Sequence, residues 1–447
     1  FQNCYSLTKI VLPNNAINQT TAYSGGVLFD KTFYQCVSLE KIGVTPAHDK
    51  IGELDNGLYL PANLTAIGTT TGRNGSSGMG VFHGCEALAS VVLPASITEL
   101  NDGTFARCAS LASITYEGAA AELGNVISNN VKVVGTYMFE NCVSLETVKL
   151  PDGLTAISHS MFRGSGIKTI TIPAKVTKIG ATDSASMVVQ DATNLEEVIF
   201  QDASKVTLIG SGAFRNSGIR SIDISGATTL GSNVFYDCKN LTDVKLNDKL
   251  TETPTGLFQN CTSLTGVKMK EDGTVDYDEN GDYQYTLNLP SSLIYLGNSA
   301  FKGSGLIAIK LPEGVKALCA SASVAKKFTY SNYNVSADQF SGCTNLQSVI
   351  FASAPGLIGK NAFLDCASLT EILAPDSDAN GELTVDGVFK GLIGLGDCAF
   401  KNSGVKRVTL NSLERVGKEI FMGSAVEEVY IGKDIRYSAK NTNGWGA

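Results

Sequence analysis

The chain has 447 residues, of which 43% are hydrophobic and only 17% charged, so it contains ample material for a packed core. Its 35 Lys and Arg against 43 Asp and Glu give a net charge of −8, which argues against a broad basic surface for nucleic acid or an anionic membrane. No apolar run reaches about 18 residues, so the sequence predicts no membrane-spanning helix.

A repeated unit of about 23 residues runs through the chain, as between Phe82 and Phe105. Each copy begins with Phe, carries Cys or Ser three positions later, continues through Leu or Ile into a V-x-L pattern, often followed by Pro, and returns through I-x-x-I. Fifteen copies begin at Phe1, Phe33, Phe82, Phe105, Phe139, Phe162, Val189, Phe214, Phe235, Phe258, Phe301, Phe340, Phe363, Phe400 and Phe421.

One copy shows how the unit folds. Leu145, Val148 and Leu150 fit a short strand with alternate side chains inward, and Pro151 ends the strand because it lacks an N–H for the ladder. A period of ~20 to 29 residues with one strand per copy is typical of leucine-rich repeats. A single unit cannot fold alone, so neighbouring copies must stack. The sequence therefore predicts one leucine-rich repeat solenoid over residues 1–447, mainly short parallel β-strands with helical or 3-10 turns, with about fifteen coils and an elongated or arc shape.

Nine of the eleven cysteines occupy the fourth position of the unit. Other copies carry Ser or Ala192 there, which favours a structural column of buried thiols because the position accepts only small side chains. Disulfides between adjacent coils, such as Cys85 with Cys108, and a zinc site are the alternatives, although no C-x-x-C spacing supports zinc. The column consists of Cys4, Cys36, Cys85, Cys108, Cys142, Cys238, Cys261, Cys343 and Cys366.

Several copies carry insertions, which in a solenoid become loops on a rigid scaffold and often hold binding residues. The longest lie approximately at 18–32, 43–57, 69–80, 117–130, 270–286, 317–339 and 374–392.

Two insertions match the first half of an EF-hand calcium loop, in which oxygen ligands alternate and Gly makes a sharp turn. The second half does not match, since position twelve is Leu287 or Gly387 in place of Glu. The favoured interpretation is an Asn-Gly hairpin between short strands, with calcium as the alternative. The candidate ligands are Asp276, Asp278, Asn280 and Asp282 in one insertion and Asp376, Asp378 and Asn380 in the other.

The same insertion and its neighbour are rich in aromatic residues. Exposed Tyr gives a large contact area at low entropic cost, so these rings are candidates for binding; the alternative is that they pack onto the solenoid and hold the insertions in place. The candidates are Tyr277, Tyr283, Tyr285, Phe328, Tyr330 and Tyr333.

A stripe of lysines is predicted on the outward side of three consecutive strands, at Lys245, Lys268 and Lys310. Stacked like charges repel, so the stripe is a candidate site for an acidic ligand. The alternative is a solvated face whose charge is offset by neighbours such as Asp243.

Signals of catalysis are poor. His48, His83 and His159 lie in different coils without metal-ligand spacing, and no G-x-S-x-G pattern accompanies them. We therefore expect no enzymatic activity and no cofactor other than the calcium alternative.

With these motifs, the chain resembles the BspA-like leucine-rich repeat family, also known from treponemal repeats. IGSGAFRNSGIRSIDI at 209–224 and IGKNAFLDCASLTEI at 358–372 are close matches to its unit. The resemblance implies a bacterial, less often protozoan, protein exposed at the cell surface or secreted, which adheres to host proteins or other cells. The segment 432–447 looks like a C-terminal cap, and because Phe1 begins mid-unit we expect the native N-terminus to be missing.

The sequence thus favours a non-catalytic, extracellular adhesion protein that binds a protein partner through the solenoid face and its inserted loops. The alternative is a surface protein that binds or processes carbohydrate with its Tyr-rich loops. A glycan array beside a pull-down with host matrix proteins would separate the two.

Overall fold

The computed structural model describes residues 1–12, 23–24, 26–46, 55–69, 80–181, 186–319, 337–374, 388–389, 392–410, 413 and 415–431. Several predicted features lie outside these residues: His48, Phe328, Tyr330, Tyr333, Asp376, Asp378, Asn380 and the cap at 432–447. The chain divides into two compact units, Phe1–Ile219 and Arg220–Ala447, each described by itself below. The single domain over 1–447 stays a prediction.

The regular secondary structure of unit 1 is mainly short strands separated by turns. Its described residues also contain two 3-10 helices, Ala121–Leu123 and Ala203–Lys205. The strands are β1 (Lys9–Val11), β2 (Tyr23–Ser24), β3 (Val27–Leu28), β4 (Lys41–Val44), β5 (Gly57–Leu60), β6 (Ala66–Ile67), β7 (Ser90–Leu93), β8 (Glu99–Leu100), β9 (Ser113–Tyr116), β10 (Val133–Val134), β11 (Thr147–Val148), β12 (Ala156–Ile157), β13 (Thr169–Ile172), β14 (Lys178–Ile179), β15 (Glu197–Phe200) and β16 (Leu208–Ile209).

Unit 2 repeats this architecture, and its described residues contain no helix. Its strands are β17 (Ser221–Asp223), β18 (Thr229–Leu230), β19 (Asp243–Lys245), β20 (Ala308–Leu311), β21 (Ala317–Leu318), β22 (Ser348–Phe351), β23 (Leu357–Ile358), β24 (Glu371–Leu373), β25 (Val388–Phe389), β26 (Gly394–Leu395), β27 (Arg407–Leu410), β28 (Arg415–Val416) and β29 (Glu428–Ile431).

Each unit has two kinds of parallel sheet, one on either side of the coils. The V-x-L segments pair as β1-β5-β4-β7-β9 and β11-β13-β15 in unit 1, and as β17-β19, β20-β22-β24 and β25-β27-β29 in unit 2. Two-residue strands on the other side pair in parallel as β3-β6-β8-β10 and β12-β14-β16 in unit 1, and as β21-β23-β26-β28 in unit 2. Strand β2 joins the edge of the first of these sheets by antiparallel pairing with β3. In β13 the side chains of Ile170 and Ile172 are buried while Thr169 and Thr171 are partly exposed, as strand alternation requires. The predicted leucine-rich repeat fold is confirmed.

The Phe residues that open the coils stack into an internal column in each unit. Ring centroids of successive Phe residues lie 5.4–6.1 Å apart from Phe1 to Phe162 in unit 1, and 5.4–5.7 Å apart from Phe235 to Phe421 in unit 2. In unit 1 the column is interrupted after Phe162, where Val189 opens the next coil. Offset stacking adds to the hydrophobic gain of burying each ring.

All eleven cysteines are free thiols, and nine of them are buried. Seven thiols of the Cys column each donate to the carbonyl oxygen of the Phe in an adjacent coil, and that carbonyl also accepts a backbone N–H of its own turn. These Sγ–O distances are 2.9–3.2 Å for Cys36 to Phe1, Cys85 to Phe33, Cys108 to Phe82, Cys142 to Phe105, Cys261 to Phe235, Cys343 to Phe301 and Cys366 to Phe340.

Serine at the same position bonds differently. Ser165 Oγ donates to the carbonyl of Phe162 at 2.8 Å, and Ser424 Oγ donates to the carbonyl of Phe421 at 2.6 Å, in each case the Phe of its own coil. Cysteine therefore links two coils, whereas Ser165 and Ser424 bond within their own turn. Ser304 differs from these two serines, because its Oγ lies 3.4 Å from Cys343 Sγ of the next coil. Burial raises the pKa of the Cys85 and Cys142 thiols to about 12, so these groups stay protonated at neutral pH.

The residue two positions after the opening Phe has a positive φ in all fifteen copies. Gly, Asn and Asp tolerate this left-handed conformation best, and only Gln35 and Arg107 differ from these types. The fifteen are Asn3, Gln35, Gly84, Arg107, Asn141, Gly164, Asp191, Asn216, Asp237, Asn260, Gly303, Gly342, Asp365, Asn402 and Gly423.

Some insertions add strand structure to the sheet instead of forming loops only. Strand β5, which follows the insertion at 43–57, lies between β1 and β4, so the spatial order of the strands departs from their order in the chain. At the insertion 117–130, Val126 forms a parallel bridge to Lys149 and its N–H donates to Ile114. A segment entering a sheet satisfies its backbone groups there, which a buried loop could not do.

Candidate functional site

The insertion after Val267 in unit 2 folds into a compact antiparallel hairpin, called here the Tyr hairpin (residues 266–287). Its bridges join Val267 to Tyr285, Met269 to Val275, and Tyr277 to Tyr283. Two tight turns, at 270–274 and 278–282, close the arms. The predicted Asn-Gly turn is the second of these, and Gly281 there has a φ of +84°.

Three tyrosines hold the Tyr hairpin against the strands. The rings of Tyr277 and Tyr283 lie 5.3 Å apart, and those of Tyr283 and Tyr285 lie 6.2 Å apart. Tyr283 Oη donates to Gln347 Oε1 at 3.0 Å, in a coil 64 residues further along the chain. Burial, reinforced by the neighbouring Tyr277, raises the pKa of Tyr283. Tyr283 and Tyr285 therefore anchor the hairpin, whereas Tyr277 keeps 43% of its surface exposed.

The Tyr hairpin leans over the outward side of strands β20 and β22. Ala308 and Ser348 are outward residues there, since their neighbours Ile309 and Val349 face the core, yet both are fully buried. Gln347, whose Oε1 accepts the hydrogen bond from the Tyr283 hydroxyl, directly precedes Ser348. The hairpin thus covers the first outward position of β20 and of β22, where the small side chains of Ala308 and Ser348 leave room for it.

An open groove of about 610 Å³ lies between the Tyr hairpin and the following coils. The hairpin supplies one side, with the exposed ring of Tyr277, and the turns before the next three strands supply the other. The lining consists of Met269, Lys270, Gly273, Thr274, Val275, Tyr277, Ile307, Asn345, Gln347 and Ser368. We call this the hairpin groove, and its volume falls within the ~300–1,000 Å³ typical of ligand sites.

Of the predicted site residues that the structure describes, only Tyr277 lines this groove. Asn345, Gln347 and Ser368 were missed, because they lie outside the insertions and carry no local motif. No spacing in the sequence indicates that Tyr283 reaches a residue 64 positions away. Only the packing of the hairpin brings these side chains together.

The carboxylates of the calcium-like segment are engaged within the hairpin. Asp276 Oδ2 lies 2.7 Å from Lys268 Nζ. Asp278 Oδ1 accepts the backbone N–H groups of Asn280 and Asp282, both at 2.9 Å, and so forms the turn. Within the described residues, no group of three or more His, Cys, Asp or Glu side chains is placed to hold a metal ion. The geometry of Asp276, Asp278, Asn280 and Asp282 is that of a hairpin turn, and calcium binding stays an untested alternative.

Two of the three lysines in the predicted stripe have acidic partners. Lys245 Nζ lies 3.1 Å from Asp223 Oδ2, since parallel pairing places Asp223 directly opposite Lys245. Lys268 pairs with Asp276 of the Tyr hairpin. Lys310 is exposed and makes no ion pair within the described residues. Burial alone would raise the pKa of Asp223, but hydrogen bonds from Ser225 and the ion pair with Lys245 lower it.

The two described histidines each contact a tyrosine of an adjacent coil. His83 is buried and stacks on Tyr34 with ring centroids 5.1 Å apart. His159 Nε2 lies 2.9 Å from Tyr137 Oη, and burial together with Arg163 lowers the pKa of His159. Both histidines therefore pack between neighbouring coils in this structure.

Comparison with protein families gives one match that extends along the chain. The sequence model of the BspA type leucine rich repeat region matches in six copies, at residues 1–126, 58–182, 123–224, 187–279, 279–380 and 387–442. The chain belongs to the BspA-type leucine-rich repeat family. This is a repeat family, generally without enzymatic activity, and the predicted resemblance is confirmed.

Solved structures of bacterial leucine-rich repeat proteins resemble this BspA-type chain. A leucine-rich repeat protein from Bacteroides ovatus has 20% identity and a TM-score of 0.54, with coverage of 88% of this chain and 82% of that one. A leucine rich cell surface protein from Faecalibacterium prausnitzii has 20% identity and a TM-score of 0.42, with coverage of 85% and 83%. At these identities the likeness concerns the fold. Comparison with curated proteins gives no match.

Proposed function

We propose that this BspA-type chain is a non-catalytic protein of the cell surface or of the secreted fraction, which adheres to host proteins or to other cells by binding an extracellular protein. Its membership of a repeat family that is generally non-enzymatic supports this role. Within the described residues, no helix is long and apolar enough to cross a membrane.

The observation that carries the proposal is the uncovered strand face of unit 1. Parallel pairing joins β11 to β13 and β13 to β15, so the outward residues of these three strands form rows at ~4.8 Å spacing. Thr147, Lys149, Glu197 and Ile199 are all exposed on this face. Ile199 is an apolar side chain among polar neighbours, with 41% of its surface exposed and Thr171 opposite it in the register. A rigid, mixed face of this kind suits a protein partner.

The test compares a variant that adds positive charge to the strand face with one that adds positive charge away from that face. Glu197→Lys combined with Ile199→Lys changes the strand face, and Val143→Lys changes an apolar residue with 57% of its surface exposed in the turn before β11. The purified chain is screened by biolayer interferometry against extracellular-matrix and cell-surface proteins. We expect a bound protein whose affinity falls at least tenfold for the strand-face variant and stays unchanged for Val143→Lys. Equal affinity for both variants would place the partner elsewhere, and binding to none of the proteins would count against adhesion.

A further inference from the structure

We propose that the hairpin groove of unit 2 binds saccharide, with a neutral pyranose ring stacked on Tyr277. This site is separate from the strand face of unit 1 and does not depend on the protein-binding role proposed above. One side of a pyranose carries C–H groups and its edge carries hydroxyls, so a fitting site needs a fixed aromatic face beside neutral hydrogen-bonding groups.

The aromatic face is in place before any ligand arrives. Tyr277 is bridged through its backbone to Tyr283, and the two rings pack at 5.3 Å with an interplanar angle of 42°. Tyr283 is fixed in turn by Tyr285 and by its hydrogen bond to Gln347. A ring held in this way loses little conformational freedom when a ligand stacks on it.

Apart from Lys270, the polar side chains that line the groove are neutral and can both donate and accept hydrogen bonds. Asn345 and Gln347 carry carboxamides, which donate and accept as sugar hydroxyls do. Gln347 accepts the Tyr283 hydroxyl with Oε1, so its amide N–H groups are directed away from Tyr283 and are available to a ligand oxygen. Thr274 and Ser368 add hydroxyls on opposite sides of the groove.

The charge of the lining selects a neutral ligand. Among the described residues no carboxylate lines the groove, so these residues offer no partners for a metal ion or a cationic ligand. Lys270 is the one cation of this described lining, and nearby Lys268 is engaged with Asp276. A strongly acidic ligand would need at least a second cation in bidentate reach.

The rim of the groove at the first hairpin turn is also fixed. Asp272 Oδ1 accepts from the backbone N–H of Thr274 at 2.9 Å and from its hydroxyl at 2.6 Å. Lys270 N–H donates to the Thr274 carbonyl at 2.8 Å. Because the Thr274 hydroxyl donates to Asp272, its oxygen remains an acceptor for a ligand hydroxyl.

The test screens the full 447-residue chain on an array of neutral and acidic glycans, and then measures the best neutral oligosaccharide by titration calorimetry and saturation-transfer NMR. Tyr277→Ala should lower the affinity at least about tenfold, whereas Tyr277→Phe, which keeps the ring, should stay within about threefold. Asn345→Ala removes an exposed amide without touching the hairpin, and should lower the affinity several-fold. Tyr5→Ala is the matched control, because Tyr5 has 55% of its surface exposed in unit 1 and should not affect binding.

Saturation transfer concentrated on the C–H protons of one sugar face, and lost in Tyr277→Ala, would support the stacked geometry. The proposal is overturned if no neutral glycan binds, if only acidic glycans bind, or if the Tyr277 and Asn345 variants bind as the parent does. It is also overturned if a peptide, and no glycan, binds in a manner that depends on Tyr277. Thermal melting of each variant checks that a lost signal is not lost folding.

Discussion

The outward strand faces of the two units differ, although the coils beneath them are built alike. At the start of β9 in unit 1, Ser113 is exposed to solvent. At the start of β20 in unit 2, Ala308 occupies the same place in its coil and is completely buried, because the Tyr hairpin lies over it. The inward residues that follow, Ile114 and Ile309, are buried in both. Insertions therefore reshape the surface of a coil without changing its interior.

This difference separates two ways of building a binding surface on one scaffold. The open face of unit 1 offers rows of side chains at strand spacing, which suits a broad partner. On unit 2 the Tyr hairpin covers part of the strand face and forms a groove with one exposed aromatic ring, which suits a small ligand. The first kind depends on residues of the repeat itself, and the second depends on a hairpin and on the coils that it leans against.

The prediction with the largest expected effect compares the interiors of the two units, using one residue of the Phe column from each. Phe139→Ala in unit 1 and Phe301→Ala in unit 2 each remove a fully buried ring stacked on both sides. We expect each to lower the free energy of unfolding by about 3–5 kcal/mol, measured by urea denaturation followed by circular dichroism. Val143→Ala, in an exposed turn, should change it by less than about 0.5 kcal/mol. If Phe301→Ala lowered the free energy of unfolding much less than Phe139→Ala does, the interiors of the two units would not be equivalent.

The thiol column gives a pH test of the same comparison. Burial raises the pKa of Cys142 in unit 1 to about 12 and of Cys343 in unit 2 to about 11, from 9.0. A pKa raised on folding contributes stability that is complete below the unfolded value and is lost as the pH rises through the folded value. We therefore expect the free energy of unfolding to be level up to about pH 8 and to fall between pH 9 and 11.

Single variants show whether both units contribute to this pH dependence. Cys142→Ala and Cys343→Ala should each make the fall between pH 9 and 11 shallower than in the parent protein, because one raised thiol pKa has been removed. In the native protein at pH 8, a thiol reagent should modify Cys4 and Cys398, which are partly exposed, and leave the nine buried thiols unmodified. Rapid labelling of Cys142 would contradict a closed column.

The repeat could be predicted in detail because its signal is multiplied along the chain. Phe at the start, a small residue at the fourth position and a V-x-L strand are each required by stacking, and each recurs in many copies. The left-handed turn residue after each Phe was not predicted, although eight Asn or Asp and five Gly occupy it. Its signal was present in the sequence, but a pattern of mixed residue types is less visible than a column of Phe.

The candidate site could be predicted only in part. The Asn-Gly turn and the concentration of Tyr marked the hairpin, since turn chemistry is local. No local sequence pattern marks Gln347 and Asn345, because they line the groove only as a result of how the hairpin packs against their coil. The lysine stripe shows the same limit: the sequence suggested Asp243 as a neutralising neighbour, but the strand register places Asp223 opposite Lys245.

Covered and open outward positions should differ in their tolerance of charge. Ala308→Lys places an ammonium beneath the Tyr hairpin, and should lower the free energy of unfolding by about 1–3 kcal/mol or detach the hairpin. Ser113→Lys, at the same position of an open coil, should change it by less than about 0.5 kcal/mol. Hydrogen exchange of residues 266–287 locates the effect, and unchanged protection in Ala308→Lys would show that the hairpin does not rest on this strand.

The smallest expected effect distinguishes the two anchoring tyrosines of the hairpin. Tyr285 Oη is buried and has no hydrogen-bond partner among the described residues, whereas Tyr283 Oη donates to Gln347. Tyr285→Phe removes an unsatisfied polar atom and should raise the free energy of unfolding by up to about 1 kcal/mol. Tyr283→Phe removes a hydrogen bond and should lower it by about 0.5–1.5 kcal/mol. Because the two substitutions delete the same atom from neighbouring rings, urea denaturation that gave the same sign for both would contradict the contacts that hold the hairpin over the sheet.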